Sequence, residues 1–336
     1  MITDIISKLV GKGNITQEEV ESVFNEIMEG KATDVQIAGF LVALRLKGET
    51  IDDITTCAGL MREKAVKINP KVKNLVDTCG TGGDHSGTFN ISTAAAFVAS
   101  GAGVAVAKHG NRSVSSKCGS ADVLRELGVK VELGPDKVEK CIEEVGIGFM
   151  FAPIFHPAMK NVAKARKELG VRTIFNILGP LLNPAHAKSQ LIGVFDSGLL
   201  VTFAEVLKNL GSEHAMIVHG NGLDEITLTG KTKVCELRNG KIETYEINPE
   251  EFGFKLTSLN ELKGESPSEN AKIINDVLSG AKGPKRDIVL LNAAAALLTA
   301  EVVKNYKEGI ELAANSIDSG NALKKLKDLV NFTNKK

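Results

Sequence analysis

Tryptophan is absent from this 336-residue chain, and aromatic rings come only from two tyrosines and thirteen phenylalanines. The core must therefore be mainly aliphatic, and with 43% apolar residues there is material for a large one. Neither sign of charge is in excess. Lys+Arg and Asp+Glu each total 41, without the basic surplus that marks a dedicated nucleic-acid binder. The five cysteines, Cys57, Cys79, Cys118, Cys141 and Cys235, are odd in number and form no C-x-x-C pair, which points to reduced, buried thiols. Long apolar runs are missing too. Stretches such as 288–300 carry polar residues and are too short to span a bilayer. Residues 1–11 contain Asp4 and Lys8 where a secretion signal needs an unbroken apolar core. The expectation is a cytoplasmic protein with neither a membrane nor a nucleic-acid partner. Arginine is also scarce, eight against 33 lysines, so an arginine in a glycine-rich loop or an apolar stripe stands out.

The first seventy residues read as helices. Thr16-Gln-Glu-Glu19 has capping-box form, and Val20, Val23, Phe24 and Ile27 follow at helical spacing. Ile37, Phe40, Leu41 and Leu44 make a further stripe, and Ile51, Ile54, Cys57, Leu60 and Met61 another. Such a layer needs a surface to cover, on the rest of the chain or on a second subunit. The texture changes at Asn69-Pro70. Short apolar runs at 75–76, 104–107, 129–133, 147–152, 191–195 and 215–219 then alternate with helical patterns at 92–100, 121–128, 136–145 and 199–210. Strands alternating with helices imply a parallel sheet covered on both faces. Asn239-Gly240 within 231–247 is a hairpin signal that predicts an antiparallel edge, and from Glu269 onward the pattern is helical. The domain expectation is a helical unit at 1–70, joined by the helical region around 156–185, and an α/β unit at 71–336.

Three loops carry chemistry, each just past an expected strand. Asp77-Thr-Cys-Gly-Thr-Gly-Gly-Asp84 lets backbone approach a phosphate closely, and the helix expected next offers free N–H groups at its start. Thr88, Asn90, Ser92 and Thr93 add donors and oxygens there. Lys108-His-Gly-Asn-Arg-Ser-Val-Ser-Ser116 gathers a lysine, an arginine, an asparagine and three serines, a phosphate-binding inventory rather than a core. His219-Gly-Asn-Gly-Leu-Asp-Glu225 sets two carboxylates side by side. They would repel unless a cation lay between them, and magnesium favours one or two carboxylates plus substrate phosphates. An exposed acidic turn is the plainer alternative for Asp224-Glu225; beside two anion loops, the metal is the better one, and Ser92 could add a hydroxyl ligand.

A helix is expected over 157–169, with Met159, Val162, Ala165 and Leu169 on its apolar face and Lys160, Lys164 and Lys167 opposite. Arg166 falls on the apolar side, where a buried charge must be paired. Its partner is either an internal carboxylate or a substrate carboxylate. His109, His156 and His219 show no zinc spacing. His109 and His156 are expected to line the site, and His85, His186 and His214 to be surface or loop residues.

Taken in order, residues 77–84, 88–93, 108–116 running into Gly119-Ser-Ala-Asp-Val-Leu124, His156-Pro-Ala-Met159, Arg166 with 168–184, and Leu223-Asp-Glu225 resemble the anthranilate phosphoribosyltransferase family. His85 stands where that family usually has glycine, and Arg125 where an acid is common. The resemblance implies a small N-terminal helical domain plus a larger α/β domain with a mostly parallel, helix-covered sheet, of the nucleoside phosphorylase/phosphoribosyltransferase type, assembled as a homodimer. It implies transfer of the 5-phosphoribosyl group of phosphoribosyl pyrophosphate (PRPP) to the amino group of anthranilate, in tryptophan biosynthesis. Carried over, Gly80, Gly83, Asp84, Thr88, Asn90, Ile91, Ser92, Thr93, Lys108, His109, Gly110, Asn111, Arg112, Ser113, Val114, Ser115, Ser116 and Ser120 hold PRPP. Gly80, Asn111 and Arg166 meet anthranilate, and Ser92, Asp224 and Glu225 hold Mg2+, two ions per subunit. No covalent nucleophile or dedicated base is expected, since an arylamine is already neutral at pH 7 and pyrophosphate leaves readily once its charge is met. The alternatives are a pyrimidine nucleoside phosphorylase-like enzyme, longer and with no carboxylate substrate for Arg166, and a non-catalytic relative that binds nucleic acid.

Overall fold

The computed structural model describes residues 1–113 and 117–335. Four helices come first: α1 (Ile2–Val10), α2 (Gln17–Met28), α3 (Asp34–Lys47) and α4 (Ile51–Lys64). Thr16, Thr33 and Thr50 each cap one by accepting from the backbone N–H three residues on, with the residue there reaching back, so capping boxes start α2, α3 and α4. Seven strands follow: β1 (Leu75–Gly80), β2 (Ala105–Gly110), β3 (Ile147–Phe151), β4 (Ser189–Gly193), β5 (His214–Gly220), β6 (Thr232–Arg238) and β7 (Lys241–Ile247). They form one sheet in the order β3-β2-β1-β4-β5-β6-β7, parallel through β5 and antiparallel at β6 and β7. Asn239 and Gly240 turn the last hairpin at φ 49° and 78°, the left-handed pair a two-residue turn demands.

Between strands run α5 (Ile91–Gly101), α6 (Ser120–Glu126), α7 (Pro135–Val145), α8 (Ala152–Phe155), α9 (Lys160–Leu169), α10 (Phe175–Leu178) and α11 (Leu200–Asn209). The chain ends in α12 (Pro267–Leu278), α13 (Pro284–Thr299), α14 (Tyr306–Asp318) and α15 (Asn321–Asn334). Alternate strand residues feed two large cores. Leu191, Met216 and Val218 join α5 and α12 to α15 on one face; Ile192, Ala215 and Ile217 join α11 and the N-terminal helices on the other. Val162, Ala165, Ile174 and Phe175 also enter that second core, so the segment between β3 and β4 returns to the helical layer.

Three expectations change. Residues 129–133 form no strand: Val129, Val131 and Leu133 are buried and the residues between them exposed, but their alternation packs side chains without a ladder partner. The helix expected from 157 opens as a 3₁₀ turn at Pro157–Met159 before α9. His214 is not at the surface. It is 2% exposed at the start of β5, with Nε2 2.8 Å from Glu236 Oε1, as β5 pairs its start with the end of β6. His85 and His186 are exposed as expected. Among the described residues, no helix is long and apolar enough to cross a membrane.

Candidate active site

In an open parallel sheet, ligands bind beyond the carboxyl ends of the strands where the strand order reverses. That point lies between β1 and β4, whose last residues, Gly80 and Gly193, are register partners. Neither position admits a side chain. A Cβ on Gly193 would lie 1.5 Å from the Asp224 carbonyl oxygen, and one on Gly80 would lie 2.5 Å from Asp224 Oδ2. The paired glycines let the acidic turn after β5 fold over the strand ends.

The turn is held by both segments that follow β1. Gly82 N–H donates to Asp224 Oδ2 at 2.7 Å, and Ser92 N–H donates to Glu225 Oε1 at 3.0 Å. Asp84 is close as well, its Oδ2 3.4 Å from the Asp224 backbone N. Burial raises the pKa of Asp224, and the Asp84 carboxylate raises it further. Burial and then Asp224 raise Glu225, with Lys108 opposing. Three carboxylates crowd where a cation would relieve them. Among the described residues, no three His, Cys, Asp or Glu side chains converge as a ready-made metal cage. Magnesium does not need one, because it keeps waters and takes oxygens from a bound phosphate. This donor set fits it.

Lys108 and His109 lie on β2 rather than in the loop. Lys108 is 3% exposed, and its Nζ donates to the Thr78 carbonyl and to Ser92 Oγ at 3.4 Å. Burial lowers its pKa, against the attraction of Asp77. It supports the first loop from below. His109 and His156 meet edge to face, ring centroids 5.0 Å apart. Burial first, then for His109 its neighbour His156, lowers their pKa values to about 3 and about 4. Both rings are neutral, and among the described residues neither Nε2 has a partner.

The second loop is tied at its ends. Asp122 Oδ2 accepts from the N–H groups of Ser113 and Gly119, at 3.0 and 2.9 Å, and Ser120 Oγ donates to the Asn111 carbonyl at 3.3 Å. Gly110, Asn111, Arg112, Ser113 and Ser120 are thereby grouped; Val114, Ser115 and Ser116 lie outside the described residues. Arg112 pairs with Glu132 at 3.4 Å and lies 5.6 Å from the centroid of Phe151. Arg125, the other departure from the family pattern, also pairs with Glu132. On the first segment, Gly83, Thr88 and Asn90 are half-buried, while Ile91 and Thr93 are buried. The Ile91 side chain belongs to the core, which leaves only its backbone for any ligand. His85 has φ 56°, a left-handed conformation that accounts for the family's usual glycine.

Arg166 is half-buried on α9, its guanidinium 5.3 Å from the Phe175 centroid, and no carboxylate of the described residues pairs with it. No hydrogen bond or ion pair among these residues links it to either loop. Sequence reasoning missed Arg172, which donates to the Gly83 carbonyl and stacks 3.9 Å from the Phe195 centroid. Its rarity as an arginine just past a helix end was the available signal.

A family model described as "Glycosyl transferase family, helical bundle domain" matches residues 3–65, and one described as "Glycosyl transferase family, a/b domain" matches residues 72–323. Anthranilate phosphoribosyltransferase of Acetivibrio thermocellus is 58% identical over 335 residues, covering 99% of this chain and 97% of that protein. The Thermus thermophilus enzyme of that name superposes with a TM-score of 0.92 at 45% identity, covering 98% of this chain and 99% of that one. The Saccharomyces cerevisiae enzyme, solved in complex with PRPP and Mg, superposes at 0.91 with 30% identity, covering 99% and 97%. With identity along almost its whole length and a fold that superposes on that of solved relatives, the chain belongs to the anthranilate phosphoribosyltransferase family.

Proposed function

We propose that this chain transfers the 5-phosphoribosyl group of PRPP to the amino group of anthranilate, giving N-(5-phosphoribosyl)anthranilate and pyrophosphate in tryptophan biosynthesis. The observation that carries this is the acidic turn: two half-buried carboxylates, clamped by the N–H groups of Gly82 and Ser92, over the paired ends of β1 and β4. Gly80, Gly83, Asp84, Thr88, Asn90 to Thr93, Lys108 to Ser116 and Ser120 form the PRPP site. Asp224 and Glu225, with Ser92, would hold Mg2+, two ions per subunit. Bound there, the metal supplies positive charge against the pyrophosphate as it leaves.

The chain's own groups do the rest. The α5 N-terminus and the glycine backbone receive phosphate oxygens. Arg166 receives the anthranilate carboxylate, with Asn111 and the Gly80 backbone alongside, so the neutral amine meets the sugar carbon already oriented. His109 and His156 stay neutral at pH 7 and line this approach as acceptors. No side chain takes a covalent role. The relatives solved with 4-fluoroanthranilate and with PRPP and Mg support the substrate pair. Residues 1–70, with 156–185, form the helical unit and 71–336 the catalytic one; the enzyme is a cytoplasmic homodimer. The test is loss of anthranilate fluorescence on adding PRPP and Mg2+. Fluorescence that stays constant at micromolar enzyme contradicts the assignment.

A further inference from the structure

The stretch carrying Thr88 and Asn90 is held from a part of the chain that no motif marks. Thr88 forms an antiparallel bridge with Lys263. Phe89 N–H donates to the Leu262 carbonyl at 3.1 Å, and Gly264 N–H donates to the Gly87 carbonyl at 3.0 Å. Gly264 leaves no room for a side chain, because a Cβ there would lie 1.8 Å from Asn270 Oδ1. Asn270, in the first turn of α12, is 1% exposed, and its Nδ2 donates to Asn90 Oδ1 at 3.1 Å. The Cys118 thiol donates to the same oxygen at 3.3 Å, while Asn90 Nδ2 donates to the Cys118 carbonyl, also at 3.3 Å.

These bonds fix a polarity. A carbonyl can only accept, so Asn90 must turn its NH2 toward Cys118 and its oxygen toward Asn270, which must answer with NH2. Packing alone does not require this. Asn270 Oδ1 is buried without a partner among the described residues, a destabilising arrangement that an apolar residue would avoid. The consequence appears at α5. Asn90 is its N-cap residue, the position where an asparagine side chain ordinarily takes the N–H two or three residues on. Here it makes no such bond. Its oxygen is occupied elsewhere. With Ser92 N–H given to Glu225, the Thr93 N–H has no side-chain cap among the described residues, at the positive end of an eleven-residue helix.

We propose that Asn270 is a positioning residue for the phosphoribosyl donor: it draws the Asn90 amide away from capping α5, keeping that helix end open to a PRPP phosphate. Through Cys118 the same amide couples the end of the second loop to the first. This rests on the PRPP assignment above, so the parent's turnover is measured first; a parent inactive with PRPP, anthranilate and Mg2+ overturns both.

The experiment is a double-mutant cycle read as separate KM values. Asn270→Ala and Asn270→Ser should each raise the KM for PRPP about five- to tenfold, the scale of one lost hydrogen bond, and leave that for anthranilate within about twofold. In an Asn90→Ala background, the same changes should add less than about twofold, because Asn270 acts through Asn90. An equal increment in both backgrounds overturns the proposal, as does an equal rise in both KM values. Failure of both Asn270 variants to fold also overturns it, since that makes Asn270 a core residue.

Discussion

At Arg166 the structural and functional alternatives separate. No internal carboxylate of the described residues meets its guanidinium, which rests against Phe175 while burial lowers its pKa. Arg166→Ala should therefore leave urea unfolding within about 1 kcal/mol of the parent, against about 3–5 kcal/mol for a broken buried pair. Its KM for anthranilate should rise about ten- to a hundredfold with that for PRPP little changed, as expected for a charge-assisted bond. Steady-state kinetics with each substrate varied separately checks this. The histidine pair gives a pH signature. Both folded pKa values lie below the ordinary 6.5, so the unfolded chain binds more protons as pH falls from 6.5 toward about 4. Stability from this source is present above 6.5 and lost on acidification. His156→Asn should lose about 2 kcal/mol less than the parent between pH 6.5 and 4.5, measured by urea unfolding at both pH values.

At the scale of elements, the strand ends decide the site. Gly193→Ala places a methyl against the Asp224 carbonyl, a backbone contact that no rotamer relieves. It should cost roughly 3 kcal/mol or more and reduce turnover more than a comparable change on the far side of the sheet. Urea unfolding beside initial rates checks both parts. Most elements were legible beforehand: one capping box and the apolar stripes announced the early helices, the alternation of strands and helices the sheet, and Asn239-Gly240 the hairpin. Adjacent carboxylates and glycine loops also stood out, because their chemistry is local in sequence. What stayed hidden depends on contacts between distant segments. Residues 129–133 alternate like a strand but find no partner. Gly193 looks ordinary until Asp224, 31 positions on, is folded over it. His214 is buried because β5 pairs with β6, and Arg172 matters only because its segment returns to the first loop.

At the scale of the whole molecule, the helical layer shares one core with α9 to α11, yet α1 and α3 keep Val10, Val35 and Leu46 at 72%, 82% and 83% exposure. Apolar side chains so placed favour a second copy, and the chain should be a homodimer through residues 1–70. Light scattering at micromolar concentration should give twice the 35.7 kDa chain mass, and half-strength scattering from a monomer contradicts it. The central claim joins that frame to chemistry, namely phosphoribosyl transfer at an acidic turn that holds magnesium. It is tested most directly by measuring pyrophosphate released against anthranilate consumed, in the parent and in Asp224→Asn/Glu225→Gln. The parent should release one pyrophosphate per anthranilate and only with Mg2+, while the double variant keeps its fold and loses about a thousandfold or more in rate, roughly 4 kcal/mol of transition-state stabilisation. Near-normal turnover by the double variant at saturating substrates, or pyrophosphate release with anthranilate unconsumed, would contradict it.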